Sequence, residues 1–138
     1  MNQKLNLFLL SHGEFSEYLC KSAELIIGEI KDVYTFSLKK DMSISDLILI
    51  VENKLKEVNG QSVLLTDMFG GTPNNVAMYL KQKYKCEVIS GMNLPLLLEL
   101  VISRDNSNKD LDTLLNDCIL SGKNAINRHV VIDVTNDY

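Results

Sequence analysis

The sequence predicts an α/β fold: a doubly wound parallel sheet in the strand order 2-1-3-4, with helices on both faces. Short apolar or β-branched runs at 4–10, 33–37 ("VYTFS"), 62–66 ("SVLLT") and 86–90 ("CEVIS") alternate with segments whose apolar residues recur at helical spacing. Such alternation lays the strands parallel through right-handed crossovers, and the crossover helices cover both faces. The length of 138 residues suits one ordinary domain, so residues 1–138 are read as a single unit able to bury roughly two-thirds of the surface of the unfolded chain.

The first run, "LNLFLL", is a buried strand, and Phe15, Leu19, Ala23, Ile26 and Ile27 give the following helix its inner face until Gly28 and Glu29. "VYTFS" is rich in β-formers and is the second strand. Ser43 and Asp46 have the spacing of a capping box, and Leu47, Ile50, Val51, Leu55 and Val58 continue from it as an amphipathic helix that Gly60 ends. "SVLLT" runs straight into Asp67. Gly70, Gly71, Thr72 and Pro73 then turn the chain into a helix that has Pro73 in its first turn and Val76, Ala77, Leu80 and Tyr84 facing inward. After "CEVIS" and Gly91, residues 94–103 are helical with Pro95 near their start, and a longer helix covers 111–127. "HVVIDV", 129–134, is a late strand separated from the others by two helices.

Composition narrows the function classes. The net charge is −4 with a pI near 5.1, and the lysines are scattered among acidic residues, which is not a nucleic-acid footprint. Cys20, Cys86 and Cys118 are odd in number and form no CxxC pair, so they suit a reducing compartment and are read as buried or half-buried thiols. The longest apolar stretch, Val88 to Ile102, is shorter than a bilayer span and is interrupted by Gly91, Asn93, Pro95 and Glu99. The N-terminal apolar segment has no cleavage site, and a cytoplasmic protein is expected.

In a sheet ordered 2-1-3-4 the path reverses between strands one and three, which leaves a ligand crevice at their carboxyl ends. His12 ends the first and Asp67 follows the third. A histidine after a strand is more often a turn residue, and so is an aspartate before Gly-Gly; together, at matched strand ends, they point to chemistry. A carboxylate that accepts Nδ1–H fixes the tautomer, leaves the Nε2 lone pair free and stabilises the positive ring formed when Nε2 is loaded. Gly70 and Gly71 permit close backbone approach, and Thr72 with the amides opening the next helix makes an anion cradle, which suits a phosphoryl group. The lysine of a P-loop is absent and no GxGxxG follows a strand, so the phosphoryl group must arrive already activated, as on a phosphohistidine donor.

Three segments, "LLSHGEFSEYLCKSAELIIGE", "LLTDMFGGTPNNVA" and "VISGMNLPLLLEL", resemble in order the enzyme IIA component of mannose-class sugar phosphotransferase systems, over essentially the whole chain. The resemblance implies that His12 takes a phosphoryl group on Nε2 from the phosphocarrier HPr and passes it to a IIB domain. It also implies that Asp67 orients and compensates the ring, and that Gly70, Gly71 and Thr72 bind the phosphoryl oxygens, with Thr72 keeping the hydroxyl where the family often has serine. No cofactor or metal is implied. The family is a homodimer that exchanges a C-terminal strand, a role "HVVIDV" matches in position. The membrane IIC and IID components are met indirectly, which places the protein in the cytoplasm, peripherally associated with the transporter, as a free-standing IIA subunit.

Around this site Phe15, Met68 and Phe69 are either packing residues or a partner-docking surface, and Glu14 and Glu17 suit a helix N-terminus. His129 is read as structural, Asn93 and Pro95 as shaping the turn after strand four, and Asn74 and Asn75 as first-turn residues that could also line the crevice. Three rivals remain open. A metal-dependent hydrolase lacks a third ligand near His12 and Asp67. A regulatory module would sense the phosphoryl group without passing it on, and the phosphotransfer subunit of dihydroxyacetone kinase matches the aspartate loop less well.

Overall fold

The computed structural model describes residues 4–131. Nine elements follow one another: β1 (Leu5–His12), α1 (Phe15–Ile27), β2 (Val33–Leu38), α2 (Ile44–Glu57), β3 (Gln61–Thr66), α3 (Thr72–Lys83), β4 (Cys86–Ser90), α4 (Leu94–Asn106) and α5 (Leu111–Asn124). The four strands form one parallel sheet in the order β2-β1-β3-β4. The predicted fold class, strand order and placement of helices on both faces are what the structure has.

β1 is central, and residues Leu7 to Leu10 are fully buried. Alternation along it divides the core. Leu5, Leu7 and Leu9 face α1, α4 and α5, where they meet Leu19, Ala23, Leu97 and Leu115. Phe8 and Leu10 face α2 and α3, where Leu47, Val51, Val76 and Leu80 close over them. This two-sided burial explains why β1 is a continuous apolar run instead of an alternating one.

The Ser43–Asp46 capping box is present in both directions: the Asp46 amide donates to Ser43 Oγ at 3.1 Å, and the Ser43 amide donates to Asp46 Oδ2 at 3.0 Å. Ser43→Ala is expected to cost about 1 kcal/mol in urea unfolding, with little change in denaturant slope.

Four boundaries differ from the sequence reading by two residues or more. β1 runs through Ser11 and His12, because β2 continues opposite them and His12 pairs with Leu38. α2 ends at Glu57, not at Gly60; Gly60 serves instead in the turn into β3, at φ +91°, where a Cβ would lie 2.4 Å from the Lys4 carbonyl oxygen. α4 continues past residue 103 to Asn106, because Arg104 in its last turn reaches back to the Leu5, Asp32 and Lys31 carbonyls and ties the helix to the sheet. α5 stops at Asn124, and among the described residues Ile126 beyond it is largely exposed.

Half of the late strand expected at 129–134 lies within the described residues. Residues 129–131 are exposed and belong to no helix or strand, and 132–134 lie outside the described residues. Cys86 and Cys118 are buried and Cys20 is half-buried, as expected. Burial pushes all three thiols up from their ordinary range, which keeps them protonated and poor nucleophiles.

Candidate functional site

β1 and β3 are neighbours in register, with Leu10 opposite Thr66, so the residues that follow each pair reach the carboxyl edge of the sheet together. His12 and Asp67 meet there. His12 Nδ1 lies 2.7 Å from Asp67 Oδ2, and the His12 main-chain amide donates to the same oxygen at 2.8 Å. The other carboxylate oxygen, Oδ1, accepts from the Met68 amide at 3.0 Å. A carboxylate receiving two amide donors acts purely as an acceptor, which assigns the ring proton to Nδ1 and leaves Nε2 with its lone pair. The two side chains differ in exposure: 49% for His12 and 14% for Asp67. The orienting group is recessed while the ring stays open to a partner.

The turn after His12 is set by Ser11. Its buried hydroxyl donates to the Gly13 carbonyl at 3.0 Å and accepts from the Ser16 amide at 2.8 Å. Gly13 sits at φ +56°, a conformation glycine adopts without strain, and its amide bonds the Leu38 carbonyl. Ser11 thus satisfies an amide of the first turn of α1, whose own N-cap residue, Glu14, makes no side-chain cap. The sequence reading did not single out Ser11. A hydroxyl residue five positions ahead of a first-turn amide is the signal that could have found it.

Opposite the ring, the loop from Met68 to Gly71 passes close to Nε2. A Cβ built on Gly71 would lie 2.7 Å from His12 Cε1 and 3.4 Å from Nε2, so the loop backbone packs directly against the reactive edge. Gly70 takes φ +81° to bring the chain there. Gly71 is the N-cap of α3, and no side chain caps that end, so the amides of the first turn, including that of Thr72, are offered to an anion. Asp67 bonds His12 and Gly71 packs against its ring, with Gly70 and Thr72 flanking Gly71 in the chain. Met68 and Phe69 are exposed, the latter at 83%, and Phe15 at the start of α1 is half exposed. Met68 also lies over Gly71, its Cγ 3.3 Å from where that Cβ would stand.

The remaining singled-out residues lie elsewhere. Asn93 caps α4, its Oδ1 accepting from the Leu96 amide at 2.9 Å. Glu17 pairs with Lys21 within α1. His129 is in the exposed stretch after α5, separate from the Asp67 loop in sequence and element. Among the described residues no helix is long and apolar enough to cross a membrane.

The chain has relatives among known proteins in both sequence and fold. The family described as the PTS system fructose IIA component matches residues 6–118. The fructose-specific EIIA component of Bacillus subtilis is 30% identical over 105 residues, covering 74% of this chain and 72% of that protein. The sorbose-specific EIIA component of Lacticaseibacillus casei is 29% identical over 106 residues, covering 74% of this chain and 75% of that protein. The mannose/sorbose-specific IIA subunit from Enterococcus faecalis superposes with a TM-score of 0.84 at 29% identity, covering 94% of this chain and 98% of that one. The chain belongs to the mannose-type enzyme IIA family and is a phosphotransferase component of a sugar phosphotransferase system.

Proposed function

We propose that this chain is the phosphoryl carrier between phospho-HPr and a IIB domain, with His12 as the group that is loaded. The hydrogen bond from His12 Nδ1 to Asp67 Oδ2, which leaves Nε2 facing the Gly71 backbone, carries this reading. The Nε2 lone pair attacks phosphorus as the bond to the donor's ring nitrogen breaks, and that bond's electron pair returns to the donor imidazole. Nδ1 keeps its proton, and Asp67 compensates the positive ring that results. The amides near Gly70, Gly71 and Thr72, with the Thr72 hydroxyl, receive the phosphoryl oxygens and stabilise the loose, metaphosphate-like transition state. Onward transfer is the same displacement in reverse, with a IIB side chain as nucleophile.

Phe15, Met68 and Phe69 are exposed apolar residues in the segments that follow His12 and Asp67, which suits brief docking of both partners. The cycle runs in the cytoplasm beside the membrane IIC and IID components. A homodimer is inferred from the family resemblance.

Incubation with phosphoenolpyruvate, enzyme I and HPr is expected to load the protein with an acid-labile phosphoryl group that a IIB protein then drains. Failure to load refutes the carrier reading. Loading followed by drainage into dihydroxyacetone kinase, and not into IIB, reassigns the acceptor. Gly71→Ala adds a sharper test. The backbone there, at φ −80°, admits alanine, but the new methyl must displace the ring. Misplacement of about 1 Å is worth about 100-fold in rate, so stopped-flow transfer should fall by about that factor while the melting temperature stays close to the parent's.

A further inference from the structure

The loop that carries Asp67 and the α3 amides is tied at its base by two buried residues that the mechanism above does not use. Thr66 is fully buried and Asn74 nearly so, and Thr66 Oγ1 donates to Asn74 Oδ1 at 2.8 Å. The chain between them, from Asp67 to Pro73, contains both the group that orients the ring and the start of the anion cradle, while Met68, Phe69 and Gly70 at its crest are exposed. A closed eight-residue step of this kind turns two separate functions into one rigid piece.

Thr66 is held from the other side as well. Its carbonyl accepts from two successive amides, Gly91 at 2.9 Å and Met92 at 3.0 Å. Gly91 takes φ +84°, which lets the chain fold back so that both amides converge on one oxygen. Asn93 then caps α4 and donates through Nδ2 to the Gly122 carbonyl at 3.0 Å. This gives the "GMN" of the third sequence motif a physical role, since it braces the residue immediately before Asp67.

We infer that Thr66 and Asn74 are positioning residues for phosphoryl transfer: their buried hydrogen bond holds the Asp67 carboxylate and the first-turn amides of α3 in fixed relation around His12 Nε2. The inference rests on the His12 reading. Thr66→Val keeps the shape of the side chain but leaves Asn74 Oδ1 buried without its donor, and the loop can regain a partner only by shifting. Asn74→Ala removes the acceptor from the other end. Thr66→Ser keeps the hydroxyl.

The test compares the parent, Thr66→Val, Thr66→Ser and Asn74→Ala well below their melting temperatures, by two readouts. The first is single-turnover transfer from phospho-HPr. Thr66→Val and Asn74→Ala are expected to slow the first-order transfer step about tenfold, with donor affinity within twofold of the parent's, and Thr66→Ser to restore the rate. The second is ¹⁵N NMR of the His12 ring in unphosphorylated protein, which needs no donor: the same two variants should lose part of the Nδ1–H tautomer population, and Thr66→Ser should regain it. Parent-like tautomer and rate in folded Thr66→Val and Asn74→Ala would overturn the inference. So would unfolding of both, which would make the pair a stability element alone. If the parent itself is never loaded, the carrier reading fails, while the NMR readout still decides whether the clasp sets the ring.

Discussion

His12→Ala is expected to abolish phosphoryl loading from phospho-HPr, while His129→Ala loads like the parent. The asymmetry follows from placement. His12 closes the central strand, its Nδ1 is 2.7 Å from a recessed carboxylate, and its other edge faces glycine backbone at the start of a helix. His129 sits in an exposed stretch belonging to no strand or helix. Without an imidazole at 12 the Asp67 loop has no nucleophile beside it to take the group, and burial holds the three thiols protonated. The variant should fold, because the half-exposed ring contributes little to the core. Residual labelling of His12→Ala at the parent's level, measured with radioactive phosphoenolpyruvate, would remove His12 from the mechanism.

Asp67→Asn is expected to slow transfer by about 100-fold while leaving the fold intact. The amide matches the carboxylate in size, but its single oxygen can accept from the His12 amide or from the Met68 amide and not both, because these reach different oxygens of the carboxylate. It carries no charge to balance the loaded ring. Turned the other way, it donates to Nδ1 and so stabilises the tautomer in which Nε2 is protonated and blocked. Rapid-quench measurement of transfer, with circular dichroism to confirm the fold, checks this. A rate within twofold of the parent's would show that the carboxylate is structural only.

Much of this arrangement is legible in the sequence because it depends on period and order. β1 is apolar without alternation because both of its faces are covered, and that same property marks it as a central parallel strand. Once β1 and β3 are adjacent, the positions of His12 and Asp67 follow from where each apolar run ends. What escapes the sequence depends on contacts between distant residues or on single turns. Arg104 extends α4 by holding carbonyls far back in the chain, and no local signal announces that. Gly60 reads as a helix stop but serves the next turn, because its close approach to the Lys4 carbonyl is a tertiary fact. Ser11 and the Thr66–Asn74 pair are ordinary polar residues until the fold buries them and gives each a partner. Fold and reacting residues are thus readable from pattern, while the supports that aim them are set by tertiary contacts.

The most direct measurement is ¹⁵N and ³¹P NMR of the protein after loading from phospho-HPr, with the histidine rings isotopically labelled. A phosphoryl group on Nε2 of His12, with Nδ1 still protonated, is the predicted result. A phosphoryl group on Nδ1, or on any residue other than His12, would contradict it.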